Sequence, residues 1–410
     1  MIEKHMLYLL TIIATLLPVS AMAESNKVIT IYQDADLSNH AASSEIIQKG
    51  IELAFDEIGN EINGYKFDFK YLDHRGNVVR SKRNYQTFID DPQALAIYSG
   101  IHSPPLIKNR EFINKQKALT LVPWAAGGPI TRYPSSENWV FRLSIDDTQA
   151  GPVIIDYALQ KQGCVAPHLV LEETPWGDSN LNSMHNALIQ NNISNIQVTR
   201  FSWNLKRAGA RAIIRDIIDR SSDCIVLVAN SSEGIVLIDE ILNLPVDERI
   251  PVISHWGITG GNFTDAVTAK KREGYDLHFI QTCFAFTDGQ QSKLANQVFS
   301  NLKKYTNGDI KTPNDVKPAV GFIHAYDLTK ILIQAIRQTQ LSGDIAQDRK
   351  AIRLALENIQ SPVDGLVKTY QAPFSVFNEV TNPNAHEALN ADYYCMGKFG
   401  PENEIVLLKN

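Results

Sequence analysis

Residues 29–59, which read ITIYQDADLSNHAASSEIIQKGIELAFDEIG, contain the unit that decides the fold. Residues 29–32 are β-branched or aromatic and predict a buried strand. A helix should follow, with a hydroxyl N-cap at Ser43 or Ser44 and an end near Gly59. Its buried face is set by apolar residues at i, i+4, i+7 and i+11, namely Ile47, Ile51, Ala54 and Ile58. The stretch therefore predicts one β-strand followed by one amphipathic α-helix.

This strand-helix alternation continues to residue 143 and is repeated from residue 148 to residue 254. Alternating β and α elements indicate an α/β fold whose parallel sheets are covered by helices on their faces. We predict two Rossmann-like lobes: residues 24–146 with 286–370, and residues 147–285 with 371–410. No low-complexity linker separates them, which favours a multi-strand hinge with a cleft between the lobes.

Length and charge restrict the function. The 410 residues are too many for one domain, and 39 basic against 45 acidic residues give a net charge of −6. Without a basic block, a nucleic-acid partner is not expected.

The N-terminus predicts export. Residues 7–19 form an uncharged run, and Ala21-Met22-Ala23 is an A-x-A pattern, so residues 1–23 should be a signal peptide cleaved after Ala23. A membrane anchor is the alternative, but a span needs roughly 20 apolar residues and Pro18 closes this run early. The mature protein should be periplasmic.

Export makes the four cysteines candidates for disulfides. Cys164 and Cys224 lie just before or at the start of two apolar runs. If these runs are adjacent parallel strands, the two sulfur atoms meet at one end of a sheet, so this pair is the preferred disulfide. Cys283 and Cys395 either pair or remain buried thiols.

No catalytic signature is present: the chain lacks G-x-S-x-G, G-x-x-x-x-G-K-[ST], H-E-x-x-H and G-x-G-x-x-G, and we expect no enzyme. Function should lie in the loops after the strands, where doubly wound sheets bind ligands. These loops contain three of the five tryptophans, Trp124, Trp176 and Trp256.

The chain resembles the type I periplasmic binding proteins, in particular the substrate-binding proteins of ABC importers for branched-chain amino acids. The order and spacing of several pieces carry this resemblance: 50–58, 71–73, 84–91, 100–103, 121–131, 139–142, 176–177 and 321–327. In that family, the loop matching 100–103 gives a hydroxyl to the ligand carboxylate, and the loop matching 124–128 gives backbone N–H groups. The resemblance thus assigns these roles to Ser103, Ala125 and Gly127, and the covering aromatic to Trp176.

One departure concerns the ligand. The family's amino-acid receptors place an acidic residue where this chain has His255-Trp256-Gly257, so an amino-acid ligand is doubtful. Two interpretations are open for Glu172, Glu173 and Glu233. One of them takes the place of the missing acidic residue and binds a ligand ammonium group, or each is a solvated charge in its loop.

The loops also contain aromatic and histidine side chains whose role is either structural or ligand-binding. Trp124, Trp176 and Trp256 either fill space between helix and sheet or form a clamp for a flat, apolar or cationic ligand. His74 and His102 are expected to make loop hydrogen bonds rather than bind a metal, and Trp139 and Arg142 to serve packing and pairing.

The expected protein is a monomeric periplasmic receptor that closes over a small organic ligand and then docks on a membrane permease, with no cofactor. The expected ligand-binding residues are His102, Ser103, Trp124, Ala125, Ala126, Gly127, Trp176, Ser231 and Trp256. The alternative is a receptor of the same fold that reports to a sensor kinase or chemoreceptor.

Overall fold

The computed structural model describes residues 27–135 and 137–408; the proposed signal peptide lies outside these residues. The first half forms one sheet with flanking helices. Its elements are β1 (Lys27–Ala35), α1 (Ala41–Asp56), β2 (Glu61–Ile62), β3 (Tyr65–Asp73), α2 (Val78–Asp90), β4 (Ala94–Ser99), α3 (Ser103–Lys115), β5 (Thr120–Val122) and β6 (Val140–Arg142). The strand order is β2-β3-β1-β4-β5-β6, and only the short β2 runs antiparallel to its neighbour.

The second half repeats this construction. Its elements are α4 (Asp147–Gln160), β7 (Pro167–Glu172), α5 (Pro175–Gln190), β8 (Gln197–Phe201), α6 (Arg207–Asp219), β9 (Cys224–Val228), α7 (Ser231–Leu242), β10 (Val252–Ser254), α8 (Phe263–Ala266) and β11 (Leu277–Thr282). The remaining elements are α9 (Lys293–Tyr305), α10 (Ala319–Arg337), α11 (Ile345–Leu356), β12 (Val363–Asp364), β13 (Thr369–Tyr370), β14 (Tyr394–Phe399) and β15 (Ile405–Leu407). The second sheet has the order β15-β14-β11-β10-β9-β7-β8.

The α/β fold with two main sheets is confirmed, but both main sheets are mixed rather than parallel, and β12 with β13 forms a separate two-stranded antiparallel sheet. Both β14 and β15 run antiparallel to their neighbours, because the chain returns to the second sheet at its edge. The central strands β4 and β9 are buried along their whole length, as expected for parallel strands with helices on both faces.

Helix α10 returns to the first lobe and packs along α1. Gly50 allows this approach, since a Cβ atom there would lie 2.7 Å from the carbonyl oxygen of Phe322 and 3.0 Å from Cβ of Ala325. Only a hydrogen atom fits at this position of residue 50, and any side chain there would push the two helices apart.

The N-cap prediction for α1 is wrong. The helix begins at Ala41, and the preceding His40 makes no side-chain cap hydrogen bond. Ser43 and Ser44 lie buried in the first turn, where the Ser44 hydroxyl donates to the carbonyl oxygen of Asp36. Their hydroxyls serve tertiary contacts instead of the helix end.

The disulfide prediction for Cys164 and Cys224 is confirmed. Strands β7 and β9 are adjacent and parallel, with Pro167 opposite Cys224, so the sulfur atoms meet at one end of the sheet. Cys283 and Cys395 also form a disulfide, which joins the end of β11 to β14. The alternative of two buried thiols is therefore wrong.

Arg142, at the end of β6, organises the crossing between the lobes. Its guanidinium is fully buried and contacts Glu387 through Nε (2.7 Å) and Nη2 (2.6 Å), and Asp146 through Nη2 (2.9 Å). A third nitrogen, Nη1, donates to the carbonyl oxygen of Gly127 at 2.9 Å. This confirms the pairing role expected for Arg142 and ties a post-strand loop to both the hinge and the C-terminal segment.

The exact division into lobes remains a proposal. Residues 371–393 contact the first sheet, since Phe374 packs on Phe141 and Glu387 bridges to Arg142. Only from Tyr394 does the chain join the second sheet. These contacts favour moving the proposed boundary from residue 371 to residue 394.

Replacing Arg142 with methionine should lower the free energy of unfolding by about 3–5 kcal/mol, because the buried carboxylates of Asp146 and Glu387 would lose their one fully buried cation and keep only the partly exposed Arg132. Chemical denaturation measures this change. The control is Arg220→Met in the exposed pair with Asp216, where about 1 kcal/mol or less is expected. Equal losses in the two variants would contradict the role given to Arg142.

Asp34 should make stability depend on pH. Burial raises the pKa of its carboxyl from 3.8 to about 7, although Ser81 and Asn84 donate to it. The folded state then holds a proton that the unfolded chain releases between about pH 4 and pH 7, so stability falls as pH rises through that window. Asp34→Asn, whose amide still pairs with both neighbours, should lack this fall.

Denaturation of the wild type and Asp34→Asn at pH 5 and pH 8 measures the effect. The variant should gain stability relative to the wild type by on the order of 1 kcal/mol or more between the two conditions. Asp247→Asn, at an exposed position, is the control. A constant difference across pH would refute the assignment to Asp34.

Candidate functional site

The carboxyl ends of both sheets face the same gap. Strands β1, β3, β4 and β5 end on the first-lobe side, and β7, β9 and β10 on the second. Hydrogen bonds cross directly between the lobes: Gly128 N–H donates to Ser179 Oγ at 2.9 Å, and Gly261 N–H to Ser43 Oγ at 3.3 Å. The structure therefore shows the lobes closed on each other.

A small inner cavity lies in this gap. Its wall consists of Ile101, His102, Ser103, Pro104, Trp124, Ala126, Trp176, Asn230, Trp256 and Gly257, and its volume is about 10 Å³. That volume holds about one water molecule. A larger guest therefore requires the lobes to separate or the indoles to move.

Three indoles from both lobes fill most of the space. Trp124 of the first lobe meets Trp256 of the second edge to face, with 6.3 Å between ring centroids. Trp176 completes the wall, and all three are at most 5% exposed. The Nε1–H of Trp176 has no hydrogen-bond partner within the described residues. An acceptor atom on a guest would satisfy it.

The sequence placed Trp176, Ser103 and Ser231 in loops, but each lies in the first turn of a helix. Trp176 follows Pro175 at the start of α5, Ser103 begins α3 and Ser231 begins α7. Proline at the first positions of α3 and α5 favours helix initiation directly after the strand. These three side chains therefore project from helix N-termini rather than from irregular loops.

Six of the nine expected residues line the inner cavity: His102, Ser103, Trp124, Ala126, Trp176 and Trp256. Gly127 lies just behind, where its N–H donates to Ser103 Oγ at 3.1 Å. Ala125 packs with the core beneath the first sheet, and Ser231 is buried beside Gly261. The structure thus brings the expected hydroxyl and N–H together but sets Ala125 and Ser231 apart from the cavity wall.

A second, polar chamber of about 430 Å³ adjoins the inner cavity and shares His102 and Asn230 with it. Its other wall residues come from both lobes: Asp36, Asn39, His40, Arg75, Gly76, Trp203, Asn204, Ser232 and Glu233. The candidate site therefore has an apolar inner part and a polar outer part.

The three glutamates suggested as counter-charges differ in environment. Glu172 is fully buried and accepts from Trp203 Nε1 at 2.6 Å and Asn230 Nδ2 at 2.8 Å. Burial raises its pKa to about 7. Glu233 is buried and accepts from the backbone N–H of Asn204, whereas Glu173 is exposed. Only Glu173 fits the reading as a solvated loop charge.

At the position where the amino-acid receptors have an acidic residue, this chain has a buried histidine that pairs with an aspartate. His255 Nε2 lies 2.9 Å from Asp147 Oδ1, and both side chains are fully buried. The His255 ring also supports Trp176, edge to face at 5.0 Å. Asp147 was not predicted from the sequence, because it lies at the start of α4 and not in a loop that directly follows a strand.

A histidine cluster stands on the first-lobe side of the outer chamber. His74 Nδ1 accepts from Gly76 N–H at 2.9 Å, which confirms the loop hydrogen bond expected there. His102 makes no such bond within the described residues, and its Nε2 lies 3.4 Å from Asp36 Oδ2. Burial lowers the pKa of His40 to about 4 and that of His74 to about 3.

His40 and Trp203 were also missed from the sequence. His40 belongs to the loop between β1 and α1, from which no candidate residue was predicted. Trp203 follows β8 and lies against the His102 ring across the gap, with 5.3 Å between centroids. The same post-strand rule applied to every strand would have found both.

Comparison with known proteins agrees with this architecture. A model of the family described as periplasmic binding protein matches residues 35–387. No curated protein matches the chain. Among the described residues, no helix has both the length and the apolar character to cross a membrane.

Solved structures show the same fold at low identity. A type 1 periplasmic binding protein from Bordetella pertussis Tohama I has 16% identity and a TM-score of 0.76, covering 93% of this chain and 100% of that one. LivJ from Streptococcus pneumoniae, in complex with isoleucine, has 17% identity and a TM-score of 0.72, with 93% and 100% covered. An R. palustris ABC-transporter solute-binding protein, in complex with benzoate, has 16% identity and a TM-score of 0.74, with 93% and 95% covered.

The match over most of its length, with two facing α/β lobes, shows that the chain belongs to the periplasmic binding protein family, whose members bind solutes rather than catalyse reactions.

Proposed function

We propose that this protein is the substrate-binding protein of an ABC importer and that it captures a small organic carboxylate with a flat or apolar body between its lobes. The observation that carries this proposal is the meeting of Trp124, Trp176 and Trp256 at one cavity between the carboxyl ends of both sheets. Offset or edge-to-face contact of a ring with each indole is worth about 0.5–1.5 kcal/mol beyond area burial.

Three hydrogen-bond donors are placed to bind the carboxylate of the proposed ligand. Ser103 lies at the N-terminus of the 13-residue helix α3, where the helix dipole favours negative charge. Its hydroxyl and the neighbouring Gly127 N–H are paired with each other and are available to exchange this bond for one to a guest. The unpartnered Trp176 N–H is a further donor.

Counter-charges for an ammonium group are poorer. Asp147 is engaged by His255, and Glu172 already accepts from Trp203 and Asn230. This arrangement favours an aromatic or aliphatic acid over an amino acid. Two of the similar structures carry isoleucine and benzoate, which makes both classes suitable probes.

Closure links capture to transport in this proposal. An open form separates Trp124 from Trp256 and admits the guest, and contacts from both lobes then favour the closed form. A permease that prefers the closed form would receive loaded protein. Export through residues 1–23 would deliver the protein to the periplasm.

Intrinsic fluorescence tests the proposal, because four of the five tryptophans line the two chambers. The fifth, Trp139, is buried at the end of the first sheet under the Arg353 guanidinium. Trp139→Phe should therefore leave affinity unchanged and lower the background signal. Titration with benzoate, 4-hydroxybenzoate, leucine and tetramethylammonium should show saturable binding of an acid.

In that background, Trp256→Phe and Ser103→Ala should each raise the Kd of the bound acid roughly tenfold, which equals about 1.4 kcal/mol. Circular dichroism checks that the variants are folded. Tight binding of tetramethylammonium alone, or unchanged affinity in both variants, would refute the carboxylate clamp.

A further inference from the structure

The polar chamber contains a group of donors that the capture of an organic acid does not use. Asp36, His40 and His102 each offer one ligand atom, and these three atoms lie within 4.8 Å of one another. All three residues belong to first-lobe loops or loop ends, so their arrangement does not depend on closure of the lobes.

The imidazole of His102 is buried without a hydrogen-bond partner in the part of the chain that the structure describes. The side chain is 94% buried by its 6% exposure, and neither Nδ1 nor Nε2 has a hydrogen-bond partner among the described residues. A buried polar group without a partner loses its hydration and gains no hydrogen bond in return. A bound ion would remove this cost by accepting a lone pair from the ring.

The distances suit a metal ion. His102 Nε2 and Asp36 Oδ2 are 3.4 Å apart. Two ligands of a tetrahedral ion with bonds of about 2.0–2.1 Å are separated by about 3.3–3.4 Å. The His40 ring meets the His102 ring edge to face, with centroids 4.8 Å apart, and its ligand atom lies within 4.8 Å of those of Asp36 and His102.

Hydrogen bonds from Asn39 orient the carboxylate of Asp36. Asn39 donates to Asp36 from its backbone N–H at 2.9 Å and from Nδ2 to both carboxylate oxygens at 3.1 Å. Such outer-shell hydrogen bonds orient metal ligands in proteins. At Gly76, a Cβ would lie 3.4 Å from Asp36 Oδ2, and the left-handed φ of +68° also favours glycine there.

We propose that Asp36, His40 and His102 form a binding site for a divalent first-row transition metal ion, with Zn²⁺ as its best probe. Two imidazole nitrogens and one carboxylate oxygen are a donor set that such ions accept. The remaining coordination position would face the outer chamber, next to Trp203 and Glu233 of the second lobe. None of these three residues belongs to the proposed acid clamp, and only His102 also lines the inner cavity.

Metal retention tests the site. Chelator-treated protein is loaded with Zn²⁺, desalted and assayed for metal per chain, and Co²⁺ is added separately to record the visible absorption of a bound, low-symmetry ion. The wild type should retain about one Zn²⁺ per chain. His40→Ala and His102→Gln should each raise the Zn²⁺ Kd by more than about 10-fold, the lower end of the effect of losing even an outer-shell partner.

Two further variants separate the possible causes. His185→Ala removes an exposed histidine of α5 and should retain the metal. Trp256→Phe should also retain it, so a failure of the organic-acid proposal leaves this result unaffected. His40 is only partly buried, so its loss is compatible with folding, which circular dichroism verifies. No retained Zn²⁺ in the wild type, or equal retention in His40→Ala and His102→Gln, would overturn the proposal.

Discussion

The buried guanidinium of Arg142 is the constraint on which the site depends. It holds the carboxylates of Asp146 and Glu387 and the carbonyl oxygen of Gly127 in one cluster, at the place where the chain leaves the first sheet for the second lobe. An isolated charge could not be buried there, because desolvation of a single ion costs several kcal/mol. The pairing therefore fixes the loop that carries Trp124 relative to the hinge.

This constraint divides the cavity wall into two sets of residues, one from each lobe. Ser103, Trp124 and Gly127 are attached to the hinge through Arg142 and through the start of α3. Trp176 and Trp256 belong to the second lobe, and His255 with Asp147 supports Trp176 from behind. The hinge rotation that we propose would change the distance between these two sets while leaving the contacts within each set intact.

Much of the fold followed from local pattern. The alternation of β-branched runs with amphipathic segments predicted both sheets, and the end-on position of Cys164 and Cys224 predicted their disulfide, since parallel strands place like ends together. The rule that ligands bind at the carboxyl ends of strands likewise predicted the segments that line the candidate site.

What the sequence did not predict were contacts between distant segments. Glu387 lies 245 residues after Arg142, and no local signal connects them. The start of α1 at Ala41 was missed because Ser43 and Ser44 use their hydroxyls in tertiary contacts, which override their preference for helix caps. The grouping of Asp36, His40 and His102 likewise depends on the side-by-side position of β1 and β4.

The two chambers imply an order of contacts during capture. In the open form that we propose, the first lobe would present Ser103 and Trp124, whereas Trp176 and Trp256 would reach a guest only on closure. In the closed arrangement, Trp203 lies against His102 and covers the polar chamber from the second lobe. Because His102 and Asn230 belong to both chambers, a group bound in one chamber would change the surface that a guest meets in the other. The proposed inter-lobe rotation would therefore act on the apolar and the polar part of the site together.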